Sequence, residues 1–255
     1  VSILKYLMKF YRGKVWIIKN VKKMPEKIIR GDSMDNISIL MRCRNEERWI
    51  GHSIQSVIDN FNKPEIVIVN NNSTDSSMGI VRMFKKDESL GNGGNYTDIK
   101  IHNIDGYSPG KSLNYGVTKC SNDYVLVLSA HCVLSEVHFG KIKAYLEDHC
   151  VVGGKQIPIY KGKKITPRYV WSNFKVKDEV NLFSESEDRY FLHNAFAFYR
   201  KQVLINNPFN ENLDAKEERY WVNDMIDKGH KSYYDEASRC YHHYTTNGET
   251  WKGVG

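Results

Sequence analysis

The sequence predicts an α/β fold with a mostly parallel central sheet flanked by helices. Two observations carry that expectation. Short apolar runs, Ile37–Met41, Glu65–Val69 and Tyr124–Leu128, alternate with segments whose apolar residues recur at helical spacing. Each run also breaks into polar residues where it ends. Alternation of this kind means βαβ units and a parallel sheet. Such sheets bind ligands beyond the carboxyl ends of their strands.

The elements follow in order. Ile37–Met41 is the first strand of the set and ends in Arg42-Cys43-Arg44-Asn45-Glu46. Asn45 can cap the next helix, with Glu46 and Glu47 in its first turn, where acidic groups suit the macrodipole. Ile50, Ile54, Val57, Ile58 and Phe61 then mark one helical face. Pro64 punctuates, and Glu65–Val69 is the second strand, followed by the polar turn Asn70-Asn71-Asn72-Ser73-Thr74-Asp75. Ile80, Val81 and Phe84 continue as a second helix. Leu90–Tyr96, rich in Gly and Asn, reads as a surface loop. Thr97–His102 is a third strand, and Pro109-Gly110-Lys111 opens a helix with Leu113 and Val117 inward. After the strand at 123–128, Phe139, Ile142 and Leu146 share a helical face. Residues 155–190 have weak periodicity and read as a long excursion, either a lid or an acceptor-facing region. Order returns at Phe191–Tyr199, at a helix Glu217–Lys228 stopped by Gly229, and at Lys231–Tyr234.

At 255 residues the chain can bury a substantial core, and its net charge of +7 is unevenly placed. Residues 1–30 hold nine Lys/Arg against Glu26, a net of +8, which leaves −1 for the remainder. In that first stretch Ile3, Leu4, Leu7, Met8, Phe10 and Tyr11 sit near helical spacing among lysines, followed by Val15-Trp16-Ile17-Ile18. A basic amphipathic extension over 1–33 suits an anionic membrane surface, or packs on the domain 34–255 with its lysines in water. Nucleic acid is disfavoured as a partner. The basic residues are not matched by a basic core face, and the aromatics sit among aliphatics rather than as a stacking platform.

Five widely spaced cysteines without a Cys-x-x-Cys pair argue for reduced thiols in a cytoplasmic setting. The pairs His131-Cys132 and His149-Cys150, and Cys240-Tyr241-His242-His243, have spacings that fit no standard zinc module. No run of about 18 apolar residues is present, so no membrane-spanning helix is expected.

Four segments in this order resemble family 2 glycosyltransferases of the GT-A fold, across about residues 36–244. ISILMRCRNEERWIGHSIQSV is similar to the family's opening strand and Arg-Asn-Glu turn. IVIVNNNSTDSS is similar to its second strand and Ser-Thr-Asp turn. SPGKSLNYGVTKCSNDYVLVLSAH is similar to the helix and strand that lead to the metal motif. The Phe-Asn-Glu-x-Leu run with AKEERYW is similar to the catalytic acidic pair. The Ser-Ala-His ending and the Glu-Glu-x-x-Trp motif resemble a rhamnosyltransferase-like branch that builds bacterial surface polysaccharides.

The resemblance implies transfer of one sugar, a deoxysugar such as rhamnose, from a nucleoside diphosphate donor to a growing glycan or glycolipid, with inversion, on the inner membrane face. It implies Glu218 as the general base and Glu217 as its neighbour; read alone, both also suit the first turn of a helix. Arg42, Arg44, Asn45, Glu46, Asn70, Asn71, Asp75, Lys111, Asn114, Ser129 and His131 would bind the nucleotide sugar. Trp221 would wall the sugar site, or serve as plain core. The departures lie at the strand end, where Ser129-Ala130-His131 stands in place of Asp-x-Asp, and at Asn70-Asn71, where acids are usual. A divalent metal (Mn²⁺ or Mg²⁺) would then depend on His131 with His242 or His243, and imidazole ligands favour Mn²⁺. Alternatively His131 meets the phosphate directly. The rival of a different class is a non-catalytic nucleotide-sugar or glycan binding module.

Overall fold

The computed structural model describes residues 8–11, 14–17, 35–85, 98–165, 169–246 and 248–251. The chain separates into two units, 1–33 and 34–255. In the first, β1 (Met8–Tyr11) pairs antiparallel with β2 (Lys14–Ile17), with Met8 opposite Ile17. The helical spacing read in this stretch is therefore overturned at those positions. Phe10, Tyr11, Val15, Trp16 and Ile17 are aromatic or β-branched, and such residues favour strand. The rest of the 1–33 extension lies outside the described residues, as does the 90–96 loop.

The second unit is built on β3 (Ile37–Cys43), α1 (Ile50–Asn60), β4 (Glu65–Asn70), α2 (Ser77–Phe84), β5 (Asp98–Asn103), α3 (Pro109–Lys119) and β6 (Tyr124–Leu128). The strands run β5-β4-β3-β6 and are all parallel. Alternation along each strand sends side chains to two cores. Ile37, Ile39, Met41, Ile66, Ile68, Leu126 and Leu128 pack under α1 and α2. Leu40, Val67, Val69, Val125 and Val127 pack against α3 and against Trp221, Val222 and Met225 from later in the chain. Burial on both faces explains why these strands read as continuous apolar runs.

Beyond β6 the sheet becomes mixed. Strands β7 (Cys132–Glu136) and β8 (Val151–Tyr160) flank α4 (Phe139–Tyr145), and β9 (Lys163–Lys164) folds back on β8. A 3₁₀ turn, Tyr169–Asn173, leads to β10 (Glu179–Val180) and the small pair β11 (Phe183–Ser184) and β12 (Arg189–Tyr190). Strand β13 (Phe196–Arg200) enters antiparallel to both β6 and β8. Then come α5 (Lys201–Asn206), α6 (Glu217–Asp227) and β14 (Ser232–His243), which pairs parallel with β8 and antiparallel with β7 and β10. The excursion expected over 155–190 thus begins only after Tyr160, because β8 runs through the sheet to that point. The last strand is longer than the expected 231–234. It continues past a register shift between Asp235 and Arg239 to reach His243.

Helix α6 ends as its sequence indicates. Gly229 takes φ +89, and the N–H groups of Gly229 and His230 return to the Ile226 and Met225 carbonyls. Helix α1 does not begin as expected. Trp49 is its N-cap without a side-chain bond, and its first turn holds no acid. Asn45 stands earlier, in the left-handed region at φ +53, and its side chain accepts from the Thr74 N–H at 2.8 Å. It ties two loops together rather than capping a helix.

Candidate functional site

A cleft of about 570 Å³ opens beyond the carboxyl ends of β3, β4 and β6. Arg42, Cys43, Arg44 and Glu46 reach it from β3, Asn71 from β4, and Ser129, Ala130 and His131 from β6. Its opposite wall comes from Glu187, His193, Asn194 and the segment Asp214–Arg219 at the start of α6. Lys216, the N-cap of α6, takes the left-handed φ +62, a cost of order 1–3 kcal/mol for a non-glycine residue. The acid pair follows at once.

Both acids are deeply buried, Glu217 at 3% and Glu218 at 5% exposure. Arg42 Nη1 lies 3.1 Å from Glu217 Oε1, while Arg219 Nη1 lies 3.4 Å from Glu218 Oε1. Arg219 also faces Glu187 at 3.2 Å, and Lys216 faces the same carboxylate at 3.4 Å. Burial, then the charge of Glu217, push the Glu218 carboxyl up to about 7, against the pull of Arg219 and Arg42. A carboxyl in that range accepts a proton near neutral pH with useful driving force.

A second polar run crosses the site. Glu46 Oε1 meets His131 Nδ1 at 3.1 Å, and His131 Nε2 meets His242 Nε2 at 3.0 Å. His242 Nδ1 in turn meets Gln156 Oε1 at 3.0 Å, while Gln156 Nε2 donates to the His193 carbonyl. Sheet pairing brings these together: His242 lies opposite Cys132, next to His131, and β8 places Gln156 alongside. Burial, followed by the neighbouring imidazoles, holds His242 well below the ordinary histidine range.

The other expected site residues are distributed differently. Asn70 donates to Asn103 Oδ1 and accepts from the Ser73 N–H, so it shapes the turn. Asp75 accepts from the Glu47 and Ser77 N–H groups. Burial raises that carboxyl, but bonds from Ser77 and Glu47 outweigh it and leave it below its ordinary range. Lys111 donates to the Asp105 carbonyl, and Asn114 joins α3 to Phe209 through both ends of its amide. Trp221 packs on Tyr199 and Phe209 and donates to the Asn207 carbonyl, a core role. His243 stacks on Trp49 at 4.0 Å, because successive strand residues point to opposite faces and His242 takes the inward one. Cys132 and Cys240 are fully buried in the apolar core.

Sequence reasoning missed Tyr107, Glu187, His193, Asn194, Arg219 and Thr250, all of which line the cleft. Among the described residues, Glu46 Oε2, His193 Nδ1 and Asn194 Nδ2 are buried polar atoms without a hydrogen-bond partner. Asn194 Oδ1 is taken by the Tyr199 hydroxyl, which leaves its amide N–H groups unsatisfied. Unpaired buried polar groups are costly, and in a cleft they are free to bond a ligand or water.

Among the described residues no three His, Cys, Asp or Glu side chains converge as a metal group. The two facing imidazoles of His131 and His242 are nevertheless the kind of donors a softer divalent ion takes. Each has its other nitrogen held by a side-chain oxygen, as ligating histidines do.

The fold is similar to solved structures. A UDP-GlcNAc complex of Staphylococcus aureus TarS (residues 1–349) superposes with a TM-score of 0.61 at 20% identity, over 85% of this chain and 61% of that one. The mannosyltransferase PcManGT from Pyrobaculum calidifontis, in complex with GDP-Man and Mn²⁺, gives 0.62 at 12% identity, over 86% and 61%. In sequence, the poly-β-1,6-N-acetyl-D-glucosamine synthase of Staphylococcus epidermidis is 27% identical over 104 residues, 40% of this chain and 23% of the relative. The Staphylococcus aureus synthase is 25% identical over 118 residues, 46% of this chain and 26% of the relative. The chain therefore matches about a quarter of the length of these curated relatives. No helix among the described residues is long and apolar enough to cross a membrane. The profile described as glycosyl transferase family 2 matches residues 38–207, and the chain belongs to that family.

Proposed function

We propose that this chain moves one glycosyl unit from a nucleoside diphosphate sugar to a hydroxyl of a growing surface glycan, with inversion. One observation carries the reading. Glu218 is a buried carboxyl in the family's cleft, raised to about 7, on the wall opposite the strand ends. In the proposed step Glu218 takes the acceptor hydroxyl proton, and the acceptor oxygen bonds to the anomeric carbon. The bond from that carbon to the phosphate oxygen breaks, and its electron pair leaves on the diphosphate. Arg42 and Arg44 line the same cleft, and in the proposed step they offset the charge that grows on the diphosphate, as electrostatic catalysis requires. Arg42 also keeps Glu217 compensated, so the pair divides its work. A divalent ion, if held by His131 and His242, would supply further positive charge to the diphosphate.

Support for the donor class comes from relatives and neighbours named for N-acetylglucosamine polymers and UDP-GlcNAc. They give no support to rhamnose, so UDP-GlcNAc heads the donor series and dTDP-rhamnose follows it. The basic residues of 1–30 support a peripheral place on an anionic membrane face, at about 1 kcal/mol per basic residue near the surface. Calorimetry of the full chain with UDP, dTDP and GDP, then transfer assays with the matching sugars, tests the reading. Binding of one nucleotide below millimolar Kd, with turnover to an acceptor, is the expected result. Failure of all three to bind removes the proposal.

A further inference from the structure

The turn between β11 and β12, residues 184–189, carries three acids, and one of them is turned toward α6. Glu185 and Asp188 are exposed, whereas Glu187 is fixed on both sides. Its N–H donates to Ser184 Oγ at 3.2 Å, and its carbonyl accepts from Arg189 Nε at 3.2 Å. The hairpin itself lies along α6. Asn223 accepts from the Tyr190 N–H and donates to the Tyr190 carbonyl, and Arg189 covers the Tyr220 ring at 5.1 Å. The Glu187 carboxylate, 17% exposed, thus meets the first turn of α6 from outside the helix.

There one guanidinium stands between two carboxylates. Arg219 Nε lies 3.2 Å from Glu187 Oε2, and Arg219 Nη1 lies 3.4 Å from Glu218 Oε1. Arg219 is 7% exposed and lies over the Phe191 ring at 5.3 Å, so water screens its charge little. Its Nε makes no hydrogen bond, so the contact with Glu187 is held by charge rather than by direction. Lys216 Nζ meets the same Glu187 oxygen at 3.4 Å, but that ammonium is half exposed and screened, which leaves Arg219 the stronger partner.

We infer that Glu187 is a positioning residue for the acid pair: it draws Arg219 toward the hairpin and shares its charge, so that Glu218 stays a proton acceptor. The charges around the pair explain why sharing matters. Facing Glu218 are Glu217 and Arg219 from its own helix, Arg42 from β3 and Tyr199 from β13. Glu217 already has Arg42 at 3.1 Å. With Glu187 neutral, the full charge of Arg219 would fall on Glu218. An adjacent guanidinium favours the ionised form of a carboxyl, and a carboxylate held ionised in that way is a weaker base. Glu187 removes part of that hold and acts only through Arg219.

The inference deepens the proposed transfer and rests on it only for the reaction that Glu218 serves. Its test is the titration of Glu218 in the full chain. Carbon-13 NMR of glutamate-labelled protein reads it, with the signal assigned by its loss in Glu218→Gln. In the parent the carboxyl titrates at about 7. Glu187→Gln should lower that midpoint by about one pH unit, the lower end of what an adjacent cation does to a carboxyl. Glu187→Asp, which keeps the charge but shortens its reach, should lower it less. Arg219→Gln should raise the midpoint, and adding Glu187→Gln to it should change nothing further. Should Arg219→Gln fail to fold, the Glu187 variants decide alone. With UDP-GlcNAc as donor, the acidic limb of the kcat/KM profile should follow the NMR midpoint, while nucleotide affinity stays unchanged. A Glu187→Gln midpoint at or above the parental one overturns the inference and leaves Glu187 a structural tie, whatever happens to Tm. A lowered midpoint with no turnover of any nucleotide sugar keeps the inference and removes the transferase reading. Turnover with an unmoved midpoint and limb does the reverse.

Discussion

Arg42 Nη1 lies 3.1 Å from Glu217 Oε1, joining the end of β3 to the first turn of α6 across 175 positions of sequence. The pair does two things. It locks the helix that carries the acids against the sheet, and it leaves a negative charge at Glu217 beside Glu218. That charge, added to burial, keeps Glu218 reluctant to ionise.

Removing Arg42 should strand the Glu217 carboxylate in a site with 3% exposure. Breaking one side of a buried pair costs about 3–5 kcal/mol, and the partial exposure of Arg42 places this case near the low end. Arg42→Met should lower Tm by on the order of 5–10 °C. Adding Glu217→Gln should restore most of that loss, since no uncompensated charge remains. Thermal melts of the two single variants and the double variant check this by a double-mutant cycle.

Glu218 also sets a pH dependence of stability. Its folded-state value lies above that of the unfolded carboxyl, so protonation favours the fold. The contribution is fully present below about 4.3, declines as pH rises, and is gone above about 7. Glu218→Gln has no such titration. The variant should therefore gain stability relative to the parent as pH rises from 4 to 8, with the difference levelling off above 7. Urea melts across that range measure it. A constant difference would show that Glu218 is not raised.

Asn194 lines the cleft, and its amide nitrogen is buried with no protein partner. If a substrate oxygen accepts from it, Asn194→Ala should lower kcat/KM by about tenfold or more, from an unmet hydrogen bond of about 1–3 kcal/mol. The free enzyme should also lose about 1–3 kcal/mol of stability, because the buried Tyr199 hydroxyl loses its acceptor. A lowered Tm with kcat/KM unchanged would assign Asn194 to the Tyr199 hydroxyl alone.

The half of the molecule built on parallel strands was legible in the sequence. The strands β3, β4 and β6 are buried on both faces, so they write uninterrupted apolar runs, and their polar ends announce the cleft. Helix α6 was legible for the same reason, with its acids at one end and Gly229 at the other. The opposite wall was not. His193 and Asn194 lie in a short loop before β13, and only the fold reveals that they line the cleft with polar atoms left unpaired. Asn70, Asp75 and Asn114 each make turn and loop bonds that only tertiary contact reveals. The choice between His242 and His243 depended on strand register, which no single-residue pattern fixes.

The measurement that bears most directly on the account is the transfer rate of Glu218→Gln beside its nucleotide affinity. The substitution keeps size and hydrogen bonding but removes the proton acceptor. Transfer should fall by about 10²–10⁴-fold, and the acidic limb of the pH–rate profile near 7 should vanish. Nucleotide affinity by calorimetry should hardly move, because the base acts on the acceptor. Transfer at the parental rate with an unchanged pH profile would contradict the account and leave the acid pair as the buried first turn of a helix.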